Sequence, residues 1–440
     1  RLEDVSRGIR DNNDVPVIAP ELVTGLFLKR GYMSGSVTRL EKYRQCPFKF
    51  YAQYGLKLEP RKVRSFGAPE IGTFLHANLE RLGTQLLSEH KQWRDLDETA
   101  QQELCARVAA DILEENRYDE DEKTAYDKAI EERVVRTLQK TVSRLVDWSS
   151  RSSFDTMYLE QDFGRPNGWD SIKVSLGDDR YLRLVGQIDR IDEYNRDGHT
   201  YGMVIDYKSG STSVNAQEIY YGLKLQLMTY LLALESAYKK HHDQPMTPAA
   251  VVYTYVKNPR TPAGEPVSYE EAKALADTNG ALNNKGYFTD DIDMLEKMDK
   301  NLLTYKSKGP YVPVRITGKG TIHSGDMKIV KSSGDFDIMC RYTESIMADI
   351  GAAIGKGEFP IAPYQLNKAI PCSYCDYKTV CRFDNERNQY NYLSALNEAN
   401  ALDKMRDALN CSTNQAESDA SFGESSNTDS SMTGGDDNGR

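Results

Sequence analysis

The sequence predicts a protein of mixed α/β or α+β class with a strand-rich core. Helical periodicity dominates the chain up to about residue 150, and alternating stretches rich in Val, Ile and Tyr follow it up to residue 208. A further helix and strand come after these stretches, so that helices would flank a sheet. The chain has 440 residues, which is enough for two or three domains with a large core.

The composition is that of a globular protein, with 39% hydrophobic and 28% charged residues. The sequence contains neither a run of 18 apolar residues nor an apolar signal segment, so we expect no membrane span and no secretion. Seven cysteines are few for a chain of this length, which favours a reducing, cytoplasmic setting over a disulfide framework. Because the chain does not begin with Met, we expect it to be a piece of a longer protein.

The net charge of -10 is not typical of a nucleic-acid-binding protein. About half of it lies in residues 411–440, which hold six acidic groups and one arginine, and we expect a disordered acidic tail over 413–440. Any contact with DNA would therefore need bound metal ions or a local basic strip. Candidates for such a strip, most of which have the simpler interpretation of solvated charges, are Arg39, Lys42, Arg61, Lys62 and Arg64.

The helices are predicted from apolar spacing and from Pro and Gly positions. Residues 1–33, with Pro16 and Pro20, resemble a linker. A helix should begin near Ser36 and be interrupted at Pro47, and a second helix should begin near Gly72. Further helices are predicted at 96–115, 126–148, 215–238, 335–356 and 391–412.

The strands are predicted from alternation and β-branched content. The predicted strands are 154–162, 170–176, 181–194, 202–208 and the stretch AAVVYTYVK at 249–257. Residues 258–335 are mixed in pattern and are interpreted as an insertion with loops.

Two carboxylates follow apolar runs on neighbouring predicted strands. LVGQIDRID carries Asp189, and MVIDYKSG carries Asp206 and Lys208, with an Asp-Gly turn between the two segments. Because side chains alternate along a strand, Asp206 and Lys208 share one face and Tyr207 lies on the other. Converging carboxylates suit Mg²⁺ or Mn²⁺, whereas the simpler interpretation is that these are solvated strand residues. The residues alone do not decide between these two interpretations.

Four short motifs, taken in order, resemble the RecB-type branch of the PD-(D/E)XK nuclease superfamily. They are G-x-x-x-H (Gly72, His76), G-x-x-D-R (Gly186, Asp189, Arg190), D-Y-K (Asp206, Tyr207, Lys208) and Q-x-x-x-Y (Gln226, Tyr230). The resemblance implies an α/β fold, with a central mixed sheet that helices flank.

The same resemblance implies the roles of the site residues. The metal ligands would be His76, Asp189, Asp206 and the Tyr207 carbonyl. Lys208 would be the catalytic lysine, and Gln226 and Tyr230 would position the site or the DNA. Glu160, on an upstream strand, is at most a supporting residue, since a plain exposed glutamate is the simpler interpretation.

Three cysteines form a C-x-x-C-x5-C cluster at Cys372, Cys375 and Cys381. Structural zinc and iron–sulfur sites usually take four ligands, so this stretch lacks one. Spacing alone leaves zinc and iron–sulfur open. One subgroup of the RecB-type family carries a cysteine before the nuclease core and such a cluster after it, and Cys46 matches that position. The resemblance therefore implies a 4Fe–4S cluster that ties the two ends of the domain together. Cys105 is predicted to be a core residue, and Cys340 and Cys411 have no motif partners.

Residues 34–390 further resemble the C-terminal nuclease region of the AddB/RexB family of helicase–nuclease subunits. That resemblance implies double-strand break resection, single-stranded and double-stranded DNA as substrates, and a heterodimer with a helicase partner, AddA/RexA. Residues 1–33 would then connect to an N-terminal helicase-like region. We find no Walker A motif and expect no ATP hydrolysis. The alternatives are a stand-alone iron–sulfur exonuclease of the CRISPR-associated type and a catalytically silent DNA-binding or assembly module.

Overall fold

The fold is a six-stranded mixed sheet buried on both faces by helices. A computed structural model describes residues 13, 15–59, 68–115, 125–177, 179–210, 212–241, 245–256, 268, 271, 284–305 and 308–424. Within this part of the chain, every helix is too short or too polar to cross a lipid bilayer.

The end of the segment predicted to be a linker is folded onto the core. Helix α1 (Pro20–Phe27) is followed by β1 (Leu28–Lys29) and β2 (Tyr32–Gly35). Val23 and Phe27 of α1 are buried in the main hydrophobic core. Residues 20–33 are therefore part of the folded region rather than an extended connection, because α1 is amphipathic and buries its apolar side.

The predicted helix at Ser36 is present and breaks where Pro47 predicts. Helix α2 (Val37–Gln45) ends at Cys46, whose backbone is extended, and α3 (Pro47–Phe50) starts with the proline. A π-helical turn (Tyr51–Gly55) completes the segment. Proline has no N–H to continue α2, so that the break places Cys46 at a corner.

Three long helices form a layer against one face of the sheet. They are α4 (Ala68–Ser88), α5 (Glu98–Glu115) and α6 (Ala125–Arg151), with a 3-10 turn (Trp93–Asp95) between the first two. Their apolar sides share a second core with alternate residues of the sheet, including Met203 and Ile205. The boundaries predicted near 96–115 and 126–148 agree with the structure within a few residues.

The central sheet has the strand order β10-β9-β8-β7-β6-β3. Its strands are β3 (Asp155–Phe163), β6 (Gly186–Arg196), β7 (His199–Lys208), β8 (Thr247–Tyr255), β9 (Lys285–Thr289) and β10 (Val330–Lys331). The β7–β8 and β9–β10 pairs are parallel and the other neighbours are antiparallel. The sheet is therefore mixed, as the family resemblance implied.

The predicted strand over 181–194 is two strands in different sheets. β5 (Arg180–Leu184) joins β1, β2 and β4 (Ile172–Gly177) in a four-stranded sheet, and β6 starts at Gly186 in the central sheet. Alternation of apolar residues continues through both strands, so that the sequence pattern does not reveal the change of sheet.

The predicted helix over 215–238 is also two elements. Helix α7 (Ala216–Tyr220) and helix α8 (Gln226–His241) are separated by a turn. Gly222 in this turn has a φ of 73°, and an added Cβ there would lie 2.9 Å from Arg44 Cγ. Glycine therefore allows both the left-handed backbone and the close approach of α2.

The C-terminal part carries α9 (Ile292–Met298), α10 (Ser333–Gly355), β11 (Tyr364–Leu366), α11 (Lys378–Cys381), β12 (Asn391–Leu393) and α12 (Glu398–Glu424). 3-10 turns cover Leu302–Thr304, Ser324–Ile329 and Pro371–Tyr374. The helix predicted at 391–412 starts later, because residues 391–393 pair with β11, and it continues to Glu424. The prediction of a disordered tail over 413–440 is wrong for residues 413–424, which continue this helix, and the rest of the predicted tail lies outside the described residues.

Candidate metal site and cysteine cluster

Two adjacent strands bring the predicted carboxylates together. In the β6–β7 pair, Arg190 is in register with Ile205, so that Asp189 and Asp206 come next in the same antiparallel register. The backbone N–H of Tyr207 donates a 2.7 Å hydrogen bond to Asp189 Oδ2. The tight Asp-Gly turn between the strands sets this register, since Asp197 and Gly198 have φ values of 51° and 80°.

Three side chains among the described residues form a group that could hold a metal ion: His76, Glu160 and Asp189. Their ligand atoms all lie within 4.8 Å of one another, and His76 Nδ1 is 3.4 Å from Asp189 Oδ2. His76 comes from α4, which approaches β7 closely at Gly72, where an added Cβ would lie 3.0 Å from Ser209 Oγ. The pocket at this group has a volume of about 540 Å³ and is open to solvent.

Glu160 lies within this group, although its sequence context indicates only an exposed or supporting glutamate. β3 pairs with β6 so that Leu159 faces Arg190 and Gln161 faces Ile188, which brings Glu160 opposite Asp189. Its φ of 44° is in the left-handed region, an unfavourable backbone for glutamate. Sequence reasoning undervalued this residue, because the pairing of β3 with β6 is needed to place it.

Burial and mutual repulsion raise the pKa values of the clustered carboxyls. Burial raises the pKa of Asp189 to about 6, and burial together with the charge of Asp189 raises the pKa of Asp206 to about 7. Burial and the neighbouring acids, Asp189 first, raise the pKa of Glu160 to about 8. A bound cation would stabilise the charged forms of these three carboxyls, because it would offset the repulsion between them.

His76 is poised to act as a neutral ligand. Burial lowers its pKa, and the attraction of Asp206 only partly opposes that effect. It also hydrogen bonds with the Tyr207 backbone, which orients the ring. A neutral imidazole with one nitrogen free is the form that binds metal ions.

The remaining predicted catalytic residues surround Asp206. Lys208 forms an ion pair with Asp206 Oδ2, and its ammonium lies 5.3 Å from the centre of the Tyr253 ring. Gln226 Nε2 donates to Asp206 Oδ1 at 2.9 Å and to Tyr230 Oη at 2.8 Å. Asp206 is almost fully buried, so that Lys208 and Gln226 together satisfy its two carboxylate oxygens.

The opposite face of β6 and β7 is held by a buried ion pair. Arg190 donates two 2.6 Å hydrogen bonds to Asp192 and lies 5.5 Å from the ring centre of Trp148. Its Nη1 also donates to Tyr207 Oη at 3.4 Å. Arg190 therefore holds β6 and β7 together on the face opposite the candidate metal site.

The metal ligands predicted from the resemblance are only partly gathered in one group. His76 and Asp189 belong to the group together with Glu160, whereas Asp206 lies next to it and is bound to Lys208 and Gln226. One imidazole and several carboxylate oxygens are a donor set that suits Mg²⁺ or Mn²⁺. The residues present therefore fit a divalent cation.

The four predicted cluster cysteines all line one cavity of about 660 Å³. Cys46 reaches it from the corner between α2 and α3, and the other three reach it from the loop around α11: Cys372, Cys375 and Cys381. Backbone N–H groups of Lys49, Phe48 and Ala362 hydrogen bond to the Cys46 sulfur, while burial raises its pKa to about 11. Hydrogen bonds to the sulfurs stabilise metal-bound thiolates, so that the cavity fits a thiolate-bound metal group.

The other cysteines lie away from this cavity. Cys105 and Cys340 are buried in the hydrophobic cores, and Cys411 is exposed on α12. Tyr377 Oη in the cysteine loop donates a 2.9 Å hydrogen bond to Leu58 O, which lies just after the π-helical turn.

Two residues of the predicted basic strip, Arg39 and Lys42, lie in the part of the chain that the structure describes. Arg39 stacks over the Tyr54 ring at 4.4 Å, and Lys42 Nζ donates to Gln53 Oε1 at 2.9 Å. Arg61, Lys62 and Arg64 lie outside the described residues.

The sequence profile of the PD-(D/E)XK nuclease superfamily matches residues 34–382 of this chain. The chain belongs to that superfamily. The six-stranded mixed sheet flanked by helices agrees with this membership.

Several curated relatives match most of the chain, and each is named as the B subunit of an ATP-dependent helicase/deoxyribonuclease. The relative from Clostridioides difficile (strain 630) is 34% identical over 400 residues, which cover 90% of this chain and 34% of the relative. Those from Ruminiclostridium cellulolyticum and Thermoanaerobacter sp. (strain X514) are each 30% identical, over 83% and 93% of this chain and 31% and 35% of their own lengths. The chain thus spans about a third of the length of these relatives.

Proposed function

We propose that this chain is the metal-dependent nuclease region of a helicase–nuclease subunit and hydrolyses phosphodiester bonds of unwound single-stranded DNA. The observation that carries the proposal is the convergence of His76, Glu160 and Asp189 beside the Asp206–Lys208 ion pair. This arrangement lies in a chain whose superfamily consists of nucleases. We propose exonucleolytic action, because the helicase named in the relatives would deliver a strand end.

The proposed mechanism assigns each residue a task. His76, Asp189 and Glu160 would hold a divalent cation, Mg²⁺ or Mn²⁺, with Asp206 and the Tyr207 carbonyl completing the site. When bound, the cation would supply Lewis-acid stabilisation of the phosphate charge and lower the pKa of a water molecule.

The protein groups around the cation prepare the site. Lys208 keeps its ammonium beside Asp206, where it stabilises negative charge that develops on the phosphate. Gln226 donates to Asp206 Oδ1 and holds that carboxylate in one orientation. Tyr230 Oη accepts the second Gln226 hydrogen bond, and therefore fixes the amide.

We further propose that Cys46, Cys372, Cys375 and Cys381 hold a 4Fe–4S cluster. The four cysteines line one cavity, and four cysteine thiolates are the usual ligand set of a 4Fe–4S cluster. The chain between Cys46 and Cys372 is long, and a clip that closes it would reduce the entropy of the unfolded chain. The cluster would thus act in folding rather than in the chemistry.

The relatives support a wider proposal about the whole protein. Because they are named as subunits of an ATP-dependent helicase/deoxyribonuclease, we propose a heterodimer with a helicase subunit of the AddA/RexA type. The pair would act in the cytoplasm on double-stranded DNA ends and degrade the unwound strands.

The test is cleavage of end-labelled single-stranded DNA by the anaerobically purified chain with Mg²⁺. Asp206→Ala should lower cleavage by at least about 100-fold while keeping its iron. Asp293→Ala is the matched control, because Asp293 is an exposed aspartate on α9 that pairs with Arg196. Equal cleavage by wild type and Asp206→Ala would place the chemistry elsewhere.

One outcome would favour the silent-module alternative. If iron-loaded wild type cuts nothing, even with the helicase subunit added, the nuclease proposal fails. DNA binding that Asp206→Ala leaves unchanged would then identify a DNA-binding or assembly module.

A further inference from the structure

Glu41 connects the helix that ends at Cys46 with the start of helix α8. Its side chain is half-buried, and Oε1 accepts hydrogen bonds from the backbone N–H groups of Leu225 at 2.7 Å and Gln226 at 3.2 Å. Gln226 is the first residue of α8 and Leu225 directly precedes it, at the end where a helix leaves backbone donors without internal partners. A side-chain oxygen there satisfies these donors.

The same start of α8 carries the residue that contacts the catalytic carboxylate. Gln226 uses its backbone N–H for Glu41 and its side-chain amide for Asp206 and Tyr230. A shift of the α8 start would therefore move the amide away from Asp206 Oδ1. Since the turn at Gly222 separates α8 from α7, the preceding helix does not continue into α8 and hold its start.

Helix α2, which carries Glu41, is itself anchored in the main core. Leu40 and Tyr43 are buried in the main core, and Tyr43 Oη donates to Glu358 O at 2.8 Å. The helix ends at Cys46, whose sulfur lines the cysteine cavity. A rigid α2 gives Glu41 a defined position relative to α8.

We propose that Glu41 is a positioning residue that fixes the start of α8 and, through Gln226, holds Asp206 in its catalytic orientation. This inference rests on the proposed nuclease function. It assigns to the helix carrying Cys46 a second task besides supplying a cluster ligand, namely alignment of the catalytic carboxylate.

The experiment compares steady-state cleavage of single-stranded DNA by the full chain carrying Glu41→Ala, Glu41→Gln or no change. Glu41→Ala should lower kcat by about 10-fold with little change in KM, because a small misalignment of catalytic groups slows the chemical step. Glu41→Gln should stay close to wild type, because both hydrogen bonds are accepted by a single oxygen that glutamine also has. Thr38→Ala, an exposed change on the same helix, is the control.

A double variant separates positioning from general loss of structure. If Glu41 acts through Gln226, then Glu41→Ala combined with Gln226→Ala should have the kcat of Gln226→Ala alone. The proposal would be overturned if the two substitutions lowered kcat by factors that multiply in the double variant. It would also be overturned if Glu41→Ala kept at least half of the wild-type kcat. Glu41→Gln as impaired as Glu41→Ala would also overturn it, because charge would then matter rather than hydrogen bonding.

The melting temperature and the iron content of every variant are measured to check that it is folded. If Glu41→Ala loses its fold, Glu41→Asp replaces it, because aspartate keeps the charge but falls short of the α8 donors. The proposal then requires that Glu41→Asp lower kcat by about 10-fold, and that Glu41→Asp combined with Gln226→Ala have the kcat of Gln226→Ala alone. Absence of cleavage by wild type would refute the proposed function itself, whereas active wild type with unaffected Glu41 variants would refute only this inference.

Discussion

The metal-free protein should become more stable when Asp206 is replaced by asparagine, although the variant loses cleavage. Asp206 is 1% exposed, and burial with the nearby charge of Asp189 raises its pKa to about 7. A carboxyl whose folded pKa is raised binds its proton more tightly in the folded state. The folded protein therefore loses stability as pH rises from the unfolded pKa towards the folded one, and the penalty is complete above it.

The size of the effect follows from the pKa difference. A rise from about 4 in the unfolded chain to about 7 in the folded protein corresponds to a full penalty of about 4 kcal/mol. About two thirds of this penalty develops between pH 5 and pH 8. For a chain of this size, that change corresponds to a melting-temperature difference of about 3 °C. The asparagine side chain of the variant cannot ionise and should remove the penalty.

The assay is thermal unfolding of wild type and Asp206→Asn in EDTA at pH 5, 6, 7 and 8. Lys208 loses its ion-pair partner in the variant, so the test uses the change of relative stability with pH and not its value at any one pH. The stability of the variant relative to wild type should rise with pH. Mg²⁺ added at pH 8 should stabilise wild type more than the variant.

Two results would refute this reasoning. A variant whose relative stability is the same at pH 5 and pH 8 would show that Asp206 is not destabilised by burial and repulsion. Relative stability that falls with pH would show the opposite coupling, in which the charged carboxylate stabilises the fold through Lys208.

Three further predictions concern the other site residues. Lys208→Ala should lower single-turnover cleavage by at least about 100-fold at saturating Mg²⁺, and near-normal cleavage would remove Lys208 from the chemistry. Glu160→Gln should raise the Mg²⁺ concentration for half-maximal cleavage by about 10-fold, measured by titration at pH 7.5, whereas an unchanged titration would limit Glu160 to a structural role. Cys381→Ser should lose most of its iron and melt at a lower temperature, while the exposed Cys411→Ser should keep both values; equal iron in the two variants would contradict the proposed cluster.

Local sequence signals located much of the site. The Asp-Gly turn and the alternation of MVIDYK were sufficient to place Asp206 and Lys208 on one face beside Asp189, as the β6–β7 register has it. The proline after Cys46 correctly predicted the break after α2. These predictions succeeded because turn type and side-chain alternation act over a few residues.

Contacts between distant segments were decided only by the tertiary structure. Glu160 reaches the metal group because β3 pairs with β6, and Glu41 contacts the backbone at the start of α8 from 184 positions away in the chain. The change of sheet between β5 and β6 likewise left no trace in the alternating pattern.

By itself, then, the sequence determined the types of chemical group and their local geometry: two carboxylates and a lysine on adjacent strands, and cysteines at both ends of the domain. Which side chains share a pocket was decided by strand pairing and helix packing. The physical reason is that hydrogen bonds and apolar burial between segments far apart in the chain depend on the whole fold, and no short stretch of residues encodes them alone.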